Sequence, residues 1–158
     1  MQIRHMQVTD TNTIRSIAHD TWRHTYSDFI PLDIQDKVLT DAYSDAEMDN
    51  RFQHYLNLVV EIEQRIVGYA FFSGDRSKEE VYLESLYIHP SHHRKGIGRA
   101  LIKYGLSCYE RPKTLSLSVY KQNSSISFYE KEGFVKVGET EGDFFGHPVT
   151  FIKMSKSI

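Results

Sequence analysis

His92-His93-Arg94-Lys95-Gly96-Ile97-Gly98-Arg99-Ala100-Leu101 follows residues 81–89, which are rich in β-branched and aromatic side chains. From Ile97 on, the positions Ile97, Leu101, Tyr104, Gly105 and Cys108 recur at helical spacing. The order is strand, glycine loop, helix. Gly96 and Gly98 lack a Cβ, so the backbone can turn tightly and a ligand can approach the unpaired N–H groups of the helix's first turn. Those donors and the positive end of the helix dipole converge on one point, and Arg94, Lys95 and Arg99 add charge. The stretch predicts a seat for phosphate.

Two common phosphate loops do not fit. A nucleotide-hydrolase loop needs a glycine, four residues and then Gly-Lys-Ser/Thr, and no such run is present. A dinucleotide fingerprint wants a third glycine where Leu101 stands, inside an earlier βαβ unit. What fits is a larger order: a strand bearing Leu86-Tyr87-Ile88, the loop, a helix, a strand over 115–120, and then Asn123-Ser124-Ser125-Ile126-Ser127-Phe128-Tyr129-Glu130-Lys131-Glu132-Gly133-Phe134. Together these resemble the GNAT superfamily of acyl-CoA-dependent N-acyltransferases, whose loop binds the coenzyme A pyrophosphate. The resemblance spans nearly the whole chain.

At 158 residues and 40% hydrophobic content the chain is sized for one domain with a real core, and a single domain over 1–158 is expected. A formal charge of −2 provides no global basic field for nucleic acid. No segment reaches ~18 uninterrupted apolar residues, and Met1-Gln2-Ile3-Arg4-His5 is no signal peptide. The expectation is a cytosolic protein without membrane or nucleic-acid partners. The single cysteine, Cys108, excludes an internal disulfide and reads as a buried helix residue rather than a catalytic thiol.

Residues 1–8 read as an edge or near-edge strand, with Thr9-Asp10 offering a helix cap. Ile14, Ile17, Ala18, Thr21 and Trp22 then mark one buried face of a helix running to about Thr25. A short helix over 33–39 and a third helix capped by Asp45 follow. Residues 58–62 and 66–72 predict an antiparallel hairpin around Glu63-Gln64-Arg65, and 74–79 a polar loop. Arg111-Pro112 stops the helix after the glycine loop. Ser124 caps a short helix ended by Gly133. Residues 134–141 and 149–154 pair around a loop bearing Asp143, Phe144, Gly146 and His147. The fold class is α+β: a mixed, mostly antiparallel sheet with helices on both faces.

In the GNAT fold the strands flanking the loop-bearing helix splay apart, and coenzyme A enters the gap. The resemblance implies that backbone groups of Leu86, Tyr87 and Ile88 bind the pantetheine arm and that an N–H near Ile88 polarises the thioester carbonyl. It also implies that His93, Arg94, Lys95, Gly96, Ile97, Gly98 and Arg99 hold the pyrophosphate. The family loop usually opens with Gln or Arg where His93 stands, which predicts weaker side-chain help there.

Tyr129 is the candidate acid. A phenol of pKa near 10 can hydrogen-bond and protonate a departing thiolate whose parent thiol lies near 8.5. In the family pattern such a tyrosine follows an Asn by six residues, the position of Asn123, which is counted with the cofactor site. A primary amine of pKa near 10.4 must lose a proton before it attacks. Alternation along the strand puts Tyr82, Glu84, Leu86 and Ile88 on one face, which makes Glu84 the candidate base, acting through water, or a carboxylate that merely attracts the amine. His89, His92 and His93 lie close together, but a loop explains them without a metal.

Trp22, Tyr26 and Phe29 fall where GNAT proteins build the acceptor wall, with Asp20, Asp28, Asp33 and Asp36 around them. Aromatic faces and carboxylates suit an alkylammonium. The run Thr21-Trp22-Arg23-x-Thr25-Tyr26 is similar to bacterial polyamine N-acetyltransferases, and Phe144-Phe145-Gly146-His147 to their closing hairpin, so Tyr82 and His147 join the acceptor candidates. The expected activity is transfer of acetyl from acetyl-CoA to a primary amine, small amine or polyamine, without an acyl-enzyme. Acetylation of a protein N-terminus or lysine, and an acyl-CoA-sensing domain without turnover, remain open. A homodimer is possible.

Overall fold

A computed structural model describes residues 1–74 and 79–158. The predicted polar loop therefore lies mostly outside the described residues. Within them, seven strands form one sheet in the order β1-β2-β3-β4-β5-β7-β6, flanked by five α-helices. The strands are β1 (Gln2–His5), β2 (Leu56–Ile62), β3 (Arg65–Ser73), β4 (Glu80–Ile88), β5 (Thr114–Tyr120), β6 (Val135–Phe144) and β7 (His147–Ser157). The helices are α1 (Thr11–Tyr26), α2 (Leu32–Ala42), α3 (Asp45–His54), α4 (Ile97–Ser107) and α5 (Ile126–Lys131). Every pairing is antiparallel except β4 with β5. This is the mixed α+β architecture expected.

The two faces of the sheet bury different clusters. Leu58, Val60, Phe72, Leu115, Leu117 and Met154 pack with Ile97, Leu101 and Ile102 of α4. On the other face, Val59, Tyr69 and Phe71 meet Ile14, Ile17 and Ala18 of α1 and Met48 of α3. Each fully buried large side chain stabilises the fold by about 1.5–3 kcal/mol. The hydroxyls of Tyr43 and Tyr69 satisfy each other at 2.6 Å within the second cluster.

Several ends differ locally from the sequence reading. Helix α3 is capped by Ser44, whose Oγ accepts from the Glu47 N–H at 3.2 Å, rather than by Asp45. Asp10 precedes α1 but turns away from it, accepting from the Gln7 N–H and pairing with Arg4, which holds its carboxyl below the usual carboxylate range. The β2–β3 turn is Glu63-Gln64, both with positive φ, a two-residue connection suited to strand twist. At the last hairpin Asp143 and Phe144 belong to β6 and His147 to β7, so only Phe145 and Gly146 form the turn.

Candidate active site

Parallel pairing of β4 with β5 covers only Glu80, Val81 and Tyr82 against Thr114, Leu115 and Ser116. Beyond it residues 83–88 and 117–120 diverge, and both lengths line a cavity of about 890 Å³. The end of α1, the loop before α4, the start of α4 and helix α5 complete its walls. The break in the sheet leaves backbone groups without strand partners, which is what an extended ligand can use.

At one end sits the glycine loop. Gly96 has φ +75 and caps α4, and Arg94 also adopts the left-handed region at φ +63. The first intrahelical bond runs from the Ala100 N–H to the Gly96 carbonyl at 3.1 Å, so helical geometry leaves the N–H groups of residues 97–99 for a ligand. No acidic residue occupies that first turn. A Cβ on Gly98 would stand 3.2 Å from the Phe128 ring, so the glycine lets α4 approach α5 closely. With Arg94, Lys95 and Arg99 exposed around it, this cradle fits a pyrophosphate. His93 does something else: its Nε2 lies 2.8 Å from the Ile88 carbonyl oxygen, pinning the loop back on the strand. His89 bridges Asp20 at 3.1 Å and Ser91 at 2.7 Å, and Ser91 reaches His92.

Strand β4 carries the middle of the site. The His89 N–H bonds the Val67 carbonyl at 2.8 Å, and antiparallel alternation then turns the backbone of Tyr87 toward β3 and those of Leu86 and Ile88 toward the gap. Tyr87 thus faces the cavity with its side chain, a correction to its reading as a backbone ligand. A second correction concerns Glu84. Ser85 pairs with Phe71 and Leu83 with Phe72, so Glu84 is the extra residue of a β-bulge. The bulge breaks the alternation: Leu86 and Ile88 pack with the α4-side cluster, whereas Glu84 bonds Ser73 on the opposite side. Glu84 still lines the cavity.

Tyr129 lines the cavity from α5 and is buried, which pushes its phenol above the ordinary range. Its hydroxyl makes no bond to protein among the described residues. Asn123 stands between two elements: its Oδ1 accepts from the Ser125 N–H and its Nδ2 donates to the Tyr26 hydroxyl, both at 2.8 Å. Asn123, rather than Ser124, is therefore the side chain that stabilises the turn into α5.

Of the acceptor candidates, Trp22 and Tyr26 line the cavity, joined by Tyr120, Phe144 and Phe151. Trp22 and Tyr26 meet edge-on at 4.7 Å, and Tyr26 and Tyr120 at 5.5 Å. Phe29, Tyr82 and His147 lie off it. Phe29 is exposed while Ile30 beside it is buried, and the N–H groups of both bond the Tyr26 carbonyl in the turn after α1. Tyr82 lines a separate groove of about 100 Å³ with Glu84 and Lys153. His147 begins β7 beyond the cavity rim. The four aspartates also lie off the wall: Asp20 pairs with His19 and His89, and Asp36 with Arg23.

Residues missed from sequence include Thr21, which lines the cavity and whose buried hydroxyl has no partner among the described residues, and Tyr120 and Phe151. Tyr120 and Phe151 are cross-strand neighbours. Pairing of distant strands would have signalled them, and the sequence alone does not specify it.

Residues 23–158 match the family described as the acetyltransferase (GNAT) domain. The spermidine N(1)-acetyltransferase of Thermoplasma acidophilum is 27% identical over 154 residues, covering 92% of this chain and 94% of that protein. The peptidyl-lysine N-acetyltransferase YjaB of Salmonella typhimurium is 26% identical over 129 residues, covering 78% and 82%. In three dimensions the PaiA N-acetyltransferase of Thermoplasma acidophilum, solved with coenzyme A, superposes with a TM-score of 0.83 over 99% of this chain and 98% of that one, at 22% identity.

Proposed function

The chain belongs to the GNAT acetyltransferase family and is an acetyl-CoA-dependent N-acetyltransferase, and from that premise we propose that it acetylates a small primary amine, a polyamine first. The observation that carries the acceptor is the aromatic enclosure of Trp22, Tyr26, Tyr120, Phe144 and Phe151 around a cavity that also holds Glu84. Aromatic faces attract an alkylammonium, and a nearby carboxylate favours its approach. The spermidine acetyltransferase among the relatives is consistent with this choice.

Backbone groups of Leu86 and Ile88 and the cradle of residues 93–98 bind acetyl-CoA in the cleft, the thioester toward Tyr129. Glu84 takes the ammonium proton through water, which frees the nitrogen lone pair. The amine forms a bond to the acyl carbon while the carbon–sulfur bond breaks with its electron pair on sulfur, and the second amine proton passes through water to that sulfur, leaving neutral amide and free thiol. Tyr129 donates a hydrogen bond to that sulfur. Because burial raises its pKa, the phenol stays protonated against a thiolate near 8.5, so it stabilises the leaving group rather than ionising. No nucleophile for an acyl-enzyme is required.

The test is free-thiol release from acetyl-CoA with spermidine, a monoamine, an amino acid amide and a lysine-bearing peptide. The expected result is the highest kcat/KM with spermidine. Highest turnover on the peptide would move the acceptor to protein lysine, the substrate named for the Salmonella relative.

A further inference from the structure

The groove of about 100 Å³ that Tyr82 lines shares Leu83, Glu84, Leu117 and Ser118 with the cavity. The two spaces meet where β4 and β5 part, so an acceptor whose amine lies in the cavity can leave its other end in the groove. Beyond the shared residues the groove is polar, with Ser116 and Lys153 completing it beside Tyr82. Antiparallel register sets Lys153 of β7 against Ser118 of β5, one step of the alternation from the Tyr120–Phe151 pair. The groove therefore continues the same face of the sheet whose aromatic residues wall the cavity.

Charge in this groove is not balanced within the protein. Elsewhere on this part of the sheet, Lys113 pairs with Glu79, and Lys121 and Lys136 share Glu139. Lys153 has no ion pair or hydrogen bond among the described residues, and its cross-strand neighbours, Ser118 and Gly138, carry no charge. The Ser118 hydroxyl is likewise unbonded among the described residues, and both side chains are exposed. The nearby carboxylates are engaged: Glu84 accepts from the Ser73 hydroxyl and Glu80 from that of Tyr82. An ammonium and a hydroxyl side by side without acceptors offer hydrogen-bond donors and positive charge. They attract a carboxylate and repel a second ammonium. A polyamine gives Lys153 nothing to hold.

We propose a further activity: the enzyme acetylates ω-amino acids, with the ammonium at Glu84 in the cavity and the carboxylate on Lys153 and Ser118 in the groove. Strands β4 and β7 lie two strand spacings apart, at least about 10 Å. The lysine side chain spans part of that width, so a short methylene chain joins the two charges of the acceptor. The acetyl group passes from sulfur to the amine nitrogen as before. The protonated amino acid and acetyl-CoA yield the N-acetyl amino acid, free thiol and one proton, which Glu84 receives. Lys153 acts on binding alone. It is a specificity-determining residue, and its loss raises KM for the acid without changing kcat.

This proposal rests on amine acetylation in the cleft, and the test separates the two. Thiol release from acetyl-CoA is measured with γ-aminobutyrate, δ-aminovalerate and ε-aminocaproate, each beside its uncharged primary amide, and with spermidine and putrescine. In the wild type the best acid of the series is expected to have a KM about 3–10-fold below that of its amide, the scale of a half-exposed charge-assisted contact. Lys153→Met removes that difference and leaves kcat unchanged. Lys153→Glu reverses it and lowers KM for putrescine. A merely structural role for Lys153 would raise KM for acid and amide alike, and that result overturns the proposal. Turnover of spermidine and the amides with no wild-type preference for any acid, or a preference that survives Lys153→Met, overturns the groove assignment and leaves amine acetylation standing. No turnover of any amine by protein that binds acetyl-CoA overturns the small-amine reading and this proposal with it.

Discussion

Tyr129→Phe is expected to lower kcat by about 10²-fold, the scale for losing one hydrogen-bond donor to developing charge, while the affinity for acetyl-CoA and the melting temperature stay near wild type. The Tyr129 ring packs against Phe128 and Phe134, with centroids 5.2 and 5.6 Å away, and a phenylalanine keeps those contacts. Only the hydroxyl is lost, and it bonds no protein group among the described residues. The change therefore removes a partner for the leaving sulfur without removing one for the fold. Because the phenol is held above its ordinary range, wild-type kcat is expected to carry no limb from Tyr129 below pH ~10. Steady-state kinetics and a thermal melt on the same preparation check it. A mutant with wild-type kcat refutes the role of Tyr129 at the leaving sulfur.

Gly105→Val is expected to carry the largest penalty on stability. Helix α4 crosses the sheet with this glycine against Phe72, and a Cβ there would stand 2.3, 2.4 and 2.9 Å from three ring atoms. Phe72 is fully buried in the same cluster as Leu101 and Leu115, so its ring has nowhere to retreat. Overpacking of this kind costs about 1–3 kcal/mol and more when backbone must move. A loss of ~3 kcal/mol lowers Tm by roughly 6–12 °C in a chain of this size. Tyr104→Ala, one residue away on the exposed side, is the control and is expected to melt near wild type. Equal melting temperatures for Gly105→Val and wild type would refute the packing.

What the sequence made legible is what local chemistry fixes. The paired glycines, the strand before them and the helical apolar spacing after them describe a strand, a tight turn and a helix, and the folded loop has that form. The aromatics Trp22 and Tyr26 were likewise readable, as they share a helix face with residues that must be buried. The Glu84 bulge was not. Alternation is a count, and one inserted residue that only its partner strand reveals resets it. The same limit hid Tyr120 and Phe151, brought together by pairing across some thirty residues, counted from their numbers. Phe29 failed for a different reason: two apolar residues in succession compete for one inward position, and in the turn after α1 Ile30 holds it. Asn123 could be named from the sequence, but its hydrogen bond to Tyr26 needed the fold.

The measurement closest to the central claim is two-substrate initial-velocity kinetics with acetyl-CoA and spermidine. Direct transfer within one cleft requires both substrates to be bound together, and predicts intersecting double-reciprocal lines with thiol and acetylated amine released in equal amounts. Parallel lines, the mark of an acyl-enzyme, or no amine-dependent thiol release from protein that binds acetyl-CoA, would contradict it.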